Sequence, residues 1–248
     1  MLIYSPRQDS FETRLLKLHR DVAELLGVLS IDQVLERIPA IALERTSANY
    51  AAIGILDEAG KIERFVPAGM PRTQVEQMPH LPQGLGLLRA VMSSEKTIRV
   101  SNLSKDPRHN GFPPFHPGMT SFMGVPVFQG KRLIGIILIT DKVNSPDFSE
   151  EDQRIAEILA RYAGIAIVNA RLFRDYAMRD RALTRQNENL ALLNQLASTL
   201  ATGTEIKEIL NQGLNQLADY LRLEVSEIYL VNADSKQLNL FIHHGEAV

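Results

Sequence analysis

Cysteine is absent from these 248 residues. Its absence removes disulfides, thiolate metal sites, cysteine nucleophiles and cysteine-linked chromophores from consideration. Charge of one sign is also lacking: 27 Lys and Arg face 29 Asp and Glu, a formal net charge of −2. No basic footprint for nucleic acid follows from that balance, and no Lys/Arg cluster marks a membrane-surface helix. Long hydrophobic runs are missing too. Leu133–Ile139 is the longest, far short of the roughly 18 residues that cross a bilayer, and Met1–Ile3 is too short for a secretory core. Any membrane anchor lies outside this chain, and the expected compartment is the cytoplasm. Enzyme motifs are equally scarce. Gly84-Leu85-Gly86 lacks the third glycine and the preceding strand of a dinucleotide loop, and no nucleophile elbow or catalytic carboxylate pair stands out. What is present is 45% hydrophobic residues, enough for one large or two modest folded domains.

Those residues are ordered by period. Leu15, Leu18, Val22, Leu25, Leu26 and Leu29 recur at helical spacing, and Ser30 with Gln33 forms a capping-box pattern opening a second helix to about Glu44. Tyr50–Leu56 and Ile62–Val66 read as strands joined by the Asp57-Glu58-Ala59-Gly60 turn. Gly84–Met92 suggests a loop and short helix, Thr97–Val100 a short strand, and Asn102–Phe115 an irregular loop. Two apolar runs, Phe122–Val127 and Leu133–Ile139, flank a polar turn at Gly130 and predict an antiparallel hairpin.

From Ser149 to about Ala201 helix breakers vanish except for Gly164, which predicts a helix on the order of 80 Å long. With Leu183 at a heptad a position, Leu172, Leu183, Leu190, Leu193 and Leu200 fall on a and d, with Arg179 and Gln186 as polar d positions. The pattern predicts a parallel two-stranded coiled coil, hence a homodimer through the helix 149–201. A helix packed on its own domain is the alternative. The end of the chain then repeats its beginning at an offset of about 175 residues. Leu18 matches Leu193, Leu25 Leu200, Ile31 Ile206, Leu35 Leu210, Ile53 Ile228 and Ile55 Leu230, while Gly69 and Gly245 match with a one-residue slip. The reading is an amino-terminal piece of a longer tandem-domain protein.

The stretch before the hairpin concentrates the chemistry. In GFPPFHPGM, residues 111–119, Pro113, Pro114 and Pro117 restrict the backbone around His116, so its imidazole is held without regular structure. His109 reads as a loop residue beside Asp106 and Arg108, His19 and His80 as surface positions, and His243-His244 as strand residues. None of them forms a ligand set with recognisable metal spacing.

Taken together, these residues resemble the GAF family of sensory domains. The resemblance implies an α+β fold: a GAF-type antiparallel sheet with helices on one face and a ligand pocket on the other, followed by a long signalling helix. The expected organisation is a helical lead-in at 1–29, a GAF domain at 30–172, a coiled-coil helix at 173–203 and the start of a second GAF domain at 204–248. Family members sit upstream of kinase or other output domains, so catalysis is expected outside this chain. A methionine-sulfoxide-reducing GAF enzyme would need the cysteines that are missing. Asp141-Lys142, then Phe148 and Asp152, resembles the N-K-F-D-E signature of cyclic-nucleotide-regulated GAF domains, with Asp141 in place of Asn and Gln153 in place of Glu. Lys142 and Asp152 are expected to pair across the strand-to-helix turn, with Ser149 as cap.

Residues 111–119 are also similar to the loop of heme-binding GAF domains in oxygen- and redox-sensing histidine kinases. There the histidine matching His116 is the proximal iron ligand. The resemblance implies heme b in an apolar slot of Phe112, Phe115, Met119 and Phe122, with His116 as the metal ligand. A distal tyrosine of those sensors falls at Leu138, which has no donor to steady bound oxygen, so CO, NO or redox state is the expected signal. Two other readings stay open: His116 pins the loop by bonding a carbonyl in a ligand-free dimerisation scaffold, or the pocket takes a nucleotide or other metabolite. Arg99 and Arg108 are then the candidate anion contacts.

Overall fold

Central strands buried on both faces organise the first half of the chain. In the computed structural model, β1 (Ala48–Leu56), β2 (Ile62–Ala68), β3 (Ile98–Val100), β4 (Phe122–Gln129) and β5 (Arg132–Lys142) form one antiparallel sheet in the order β2-β1-β5-β4-β3. The register aligns Ile53 with Ile137 and Ile137 with Val125, so these β-branched side chains share one face. One residue along, Ala52, Leu138, Gly124 and Ile98 line up on the opposite face. The structure describes residues 10–77, 84–111, 116–143, 145–202, 206–232 and 235–245, and divides after Tyr176 into two compact units.

On the first face of the sheet lies the main core. Helices α1 (Phe11–Leu26) and α2 (Ile31–Thr46) and the start of α5 (Glu150–Thr202) bury Leu18, Leu25, Ile38, Ile155, Leu159 and Ile167 against Ile53, Val125 and Ile137. Helix α1 was expected as a separate lead-in at 1–29, yet Leu18 and Leu25 are fully buried in this core. Its stripe of apolar residues is therefore an integral wall of the domain. The helix ends at Leu26 with Gly27 as C-cap, and Leu29, read above as part of the periodic stripe, is exposed. Ser30 does precede α2, but its side chain makes no capping bond, and the helix continues through a buried Pro39 to Thr46.

Gly164 is explained by close approach. A Cβ there would lie 2.2 Å from the Phe128 carbonyl oxygen, so α5 packs on the end of β4 only because the side chain is missing. On the other face, a Cβ at Gly124 would lie 2.6 Å from Val91 Cγ2, so glycine admits helix α4 (Gly86–Ser94). A one-turn helix α3 (Arg72–Glu76) follows β2 and has no counterpart in the sequence reading.

The second unit holds the end of α5, α6 (Ile206–Leu221) and a two-stranded ribbon of β6 (Ser226–Val231) and β7 (Leu238–His244). Its element order repeats α2, β1 and β2, as the offset of about 175 residues anticipates. Along α5, Leu172, Leu183, Leu190 and Leu193 are 62%, 58%, 50% and 60% exposed. More than half of each of these side chains, or half in the case of Leu190, is thus open to solvent in the single chain; the side chain of Leu200 is outside the described set. No described helix is long and apolar enough to cross a membrane.

Candidate functional site

The second face of the sheet carries an apolar seat. Ala52 from β1, Phe122 from β4, and Ile136 and Leu138 from β5 meet Leu87 and Val91 of α4 and Leu103 of a short 3-10 turn, Leu103–Lys105. Met119, Ile98 and Val100 close its edge. Phe122 and Leu138, two of the expected slot residues, thus come together, at 4% and 8% exposure. They are packed beneath α4, which the sequence reading treated only as a short helix beside a loop. Its Leu87 and Val91 are four residues apart, the spacing that puts both on one helix face.

His116 is half-buried on the segment that enters β4. Its Nδ1 is 2.8 Å from the Pro117 carbonyl oxygen, which only accepts, so Nδ1 carries a proton. In the neutral ring that tautomer puts the lone pair on Nε2, the arrangement that suits an imidazole ligand. The same bond is the loop-pinning contact of the alternative reading, so one geometry serves both. Met119 Sδ accepts from Thr140 Oγ1 at 3.1 Å, which ties the segment to β5. Phe112 and Phe115, with Pro113, Pro114 and His80, lie outside the described residues.

The candidate anion contacts are engaged elsewhere. Arg99 alternates with Ile98 and Val100, so it lies on the opposite face of β3 from the seat, and its Nη1 donates to the Phe148 carbonyl at 2.7 Å. Arg108 grips Asp106 through both carboxylate oxygens at 2.9 and 2.7 Å. That grip, against a small opposing effect of burial, lowers the Asp106 carboxyl to about 2. The seat as described is apolar, with no cation directed into it by either arginine.

The Lys142–Asp152 pair is formed and is larger than a pair. Asp152, fully buried, receives Lys142 Nζ at 3.0 Å and also Arg14 Nη2 of α1 on Oδ1. Its Oδ2 accepts from the Ser149 N–H at 2.9 Å, and the Asp152 N–H donates back to Ser149 Oγ at 3.2 Å, a reciprocal cap on α5. Arg14 and Lys142 also cap the end of α2: Arg14 donates to the Arg45 carbonyl at 2.8 Å and Lys142 to that of Thr46 at 2.7 Å. Burial pushes the Asp152 carboxyl up, and the Ser149 N–H, Lys142 and Arg14 outweigh it, holding it below the usual carboxylate range. The sequence reading missed Arg14. Phe11, Arg14, Leu18, Val22 and Leu25 share one helical stripe, and a cation inside an apolar stripe was the available signal.

In the second unit a groove of about 420 Å³ lies between α6 and β7, lined by Lys207, Asn211, Phe241 and His243 among others. Among the described residues no group of three His, Asp or Glu is placed to hold a metal ion.

A five-stranded antiparallel sheet with a helical core on one face and an apolar seat beneath α4 on the other defines an α+β domain. The GAF domain family model matches residues 28–168, and the chain belongs to that family. Over 173 residues, 69% of this chain, it is 22% identical to the methyl sulfide methyltransferase-associated sensor of Methanosarcina acetivorans. It is also 25% identical over 93 residues to the cone cGMP-specific 3',5'-cyclic phosphodiesterase subunit alpha' of Mus musculus. The aligned parts span 16% and 10% of those two relatives. The fold matches the GAF domain of a phosphoenolpyruvate-protein phosphotransferase from Coxiella burnetii, with TM-score 0.58, 22% identity, and coverage of 66% of this chain and 98% of that one. It also matches free methionine-R-sulfoxide reductase from Neisseria meningitidis, with TM-score 0.55, 16% identity, and coverage of 69% and 98%. GAF domains are sensory and regulatory modules, and relatives here include a sensor and a phosphodiesterase.

Proposed function

We propose that the first unit is the sensing domain of a signalling protein, with the face bearing Ala52, Phe122 and Leu138 as ligand seat and α5 as the element that reports occupancy. The observation that supports it is the apolar seat covered by α4 and flanked by Met119, on a sheet whose other face holds the base of α5. An apolar seat favours a ligand with an apolar body over a bare anion. Heme b is the leading single candidate, with His116 as iron ligand and Leu138, Phe122 and Met119 as walls. When bound, heme would supply gas binding or redox change at iron; the protein's part is to hold one imidazole and exclude water. The donor fits. The walls do not yet form a slot, because Leu87 and Val91 already pack on Phe122 and Leu138, so entry requires α4 to move outward.

That packing also supports a second reading, a ligand-free scaffold in which the seat is a filled core. Dimerisation through the exposed heptad residues of α5 belongs to both readings, as does an output domain elsewhere in the polypeptide. A second GAF domain beginning near 204 is supported by the repeated element order.

Hemin titration followed by absorption, on the chain and on His116→Ala, tests the choice. A sharp Soret band saturating at about one heme per chain, and lost in the variant, is the expected result for iron ligation at a single imidazole. Equal hemin binding by both proteins, or no specific band, overturns the heme reading. The seat is then probed with Leu87→Ala, which opens space between α4 and the sheet. Unchanged behaviour of α5 in that variant supports the scaffold.

A further inference from the structure

The segment that carries His116 ends in bonds that no ligand needs. Thr120 N–H donates to Asp141 Oδ1 at 2.6 Å, and Asp141 N–H donates to the Ser121 carbonyl at 3.0 Å. Next along, Lys142 N–H donates to Ser121 Oγ at 3.0 Å. Asp141 holds φ at +57°, the left-handed region that residues with side chains occupy at a cost. Aspartate tolerates it when its carboxylate is engaged locally, which here means by the strap.

The backbone direction at Asp141 decides where Lys142 goes. Its side chain, 5% exposed, leaves the sheet toward the helical face and meets Asp152 and the Thr46 carbonyl. Arg14 shares Asp152 and holds the neighbouring Arg45 carbonyl. Residues 116–121 and helix α1 therefore grip the same two places, the base of α5 and the end of α2, through one intervening residue pair.

We propose that Asp141 and Lys142 form a relay that makes the docking of helix α1 depend on the conformation of the 116–121 strap. If the strap lets go of Asp141, the left-handed turn relaxes and Lys142 withdraws. Two consequences reach α1. Water enters beside Asp152 and screens the Arg14–Asp152 pair, and the end of α2 loses one of its two cationic caps, which displaces the carbonyl that Arg14 holds. Coupling of this kind is reciprocal, so freeing α1 loosens the strap by the same factor. The relay goes beyond the ligand reading and holds whatever occupies the seat, since Asp141, Lys142, Asp152 and Arg14 all lie outside it. It gives the domain a second moving part besides α5.

Amide hydrogen exchange on the whole chain tests it with two variants. Asp141→Gly keeps the positive φ and removes the carboxylate; Arg14→Met keeps the stem and removes the charge. Asp141→Gly is expected to raise exchange across 11–26 roughly fivefold or more, while the amides of β1 paired with β5 keep their protection. Arg14→Met is expected to raise exchange at Thr120 and Lys142 by a similar factor. A change confined to the mutated segment in either variant, or one spread evenly over all segments, overturns the relay. A failed hemin titration leaves it standing, and a failed relay leaves heme binding untouched, so the two ideas fall separately.

Discussion

Asp152 is the residue on which most of the domain's polar structure converges. Its two cationic partners are nearly as buried as it is, with side-chain exposures of 5% for Lys142 and 15% for Arg14. Removing Lys142 leaves Asp152 with Arg14 as its one cation and the Thr46 carbonyl without its cap, so Lys142→Met should destabilise the first unit by about 1–3 kcal/mol, read as a shift in its urea midpoint. The direction of the Asp152 shift also sets a pH dependence. Its carboxyl is held below the unfolded value of about 3.9, so its contribution is complete above that value and fades as pH falls through the folded one. Asp152→Asn should therefore lose less stability than the parent between neutral pH and about pH 3. Equal acid sensitivity in both proteins would show that other carboxylates govern the acid limb. The Lys142–Asp152 pair and the Ser149 cap were expected from the resemblance to the N-K-F-D-E signature, and they are local, lying across one strand-to-helix turn. Arg14 was not, because its partner is 138 residues away and only the packing of α1 brings them together.

Helix α5 shows how one glycine links an element to its neighbour. Gly164→Ala places a methyl carbon against the Phe128 carbonyl, which belongs to a strand end and cannot rotate away as a side chain would. Overpacking of this kind costs about 1–3 kcal/mol, and a fall in the first unit's unfolding temperature with intact helical circular dichroism would confirm it. The long helix itself was legible from the lack of breakers between Ser149 and Ala201, and it forms over Glu150–Thr202. Periodicity also located the β-hairpin of β4 and β5 and the two helices before β1. It misjudged Leu29, which continues the helical spacing past Gly27, whereas the second helix runs through Pro39 as the spacing predicts. The error at Leu29 has a physical origin: packing against the sheet decides where a helix ends, and outweighs local preference.

For the whole molecule, the exposed heptad leucines of α5 carry the expected association. Leu183→Glu should convert a concentration-dependent dimer to monomer in light-scattering measurements, whereas Arg179→Leu, which replaces a charged d position, should strengthen it. A monomer in the parent chain at high concentration would sink the coiled-coil reading. Period and internal repetition were enough to determine antiparallel hairpins, a long helix and a repeated element order, because those properties are set largely by neighbours a few residues apart, while the α+β fold came from the resemblance to GAF domains. Tertiary structure alone decided that α4 packs over Phe122 and Leu138, that Arg99 lies on the opposite face from the seat, and that α1 shares a buried carboxylate with β5. Each of those depends on strand register and on contacts between distant segments, and a one-residue change in register would send the same side chains to the other face.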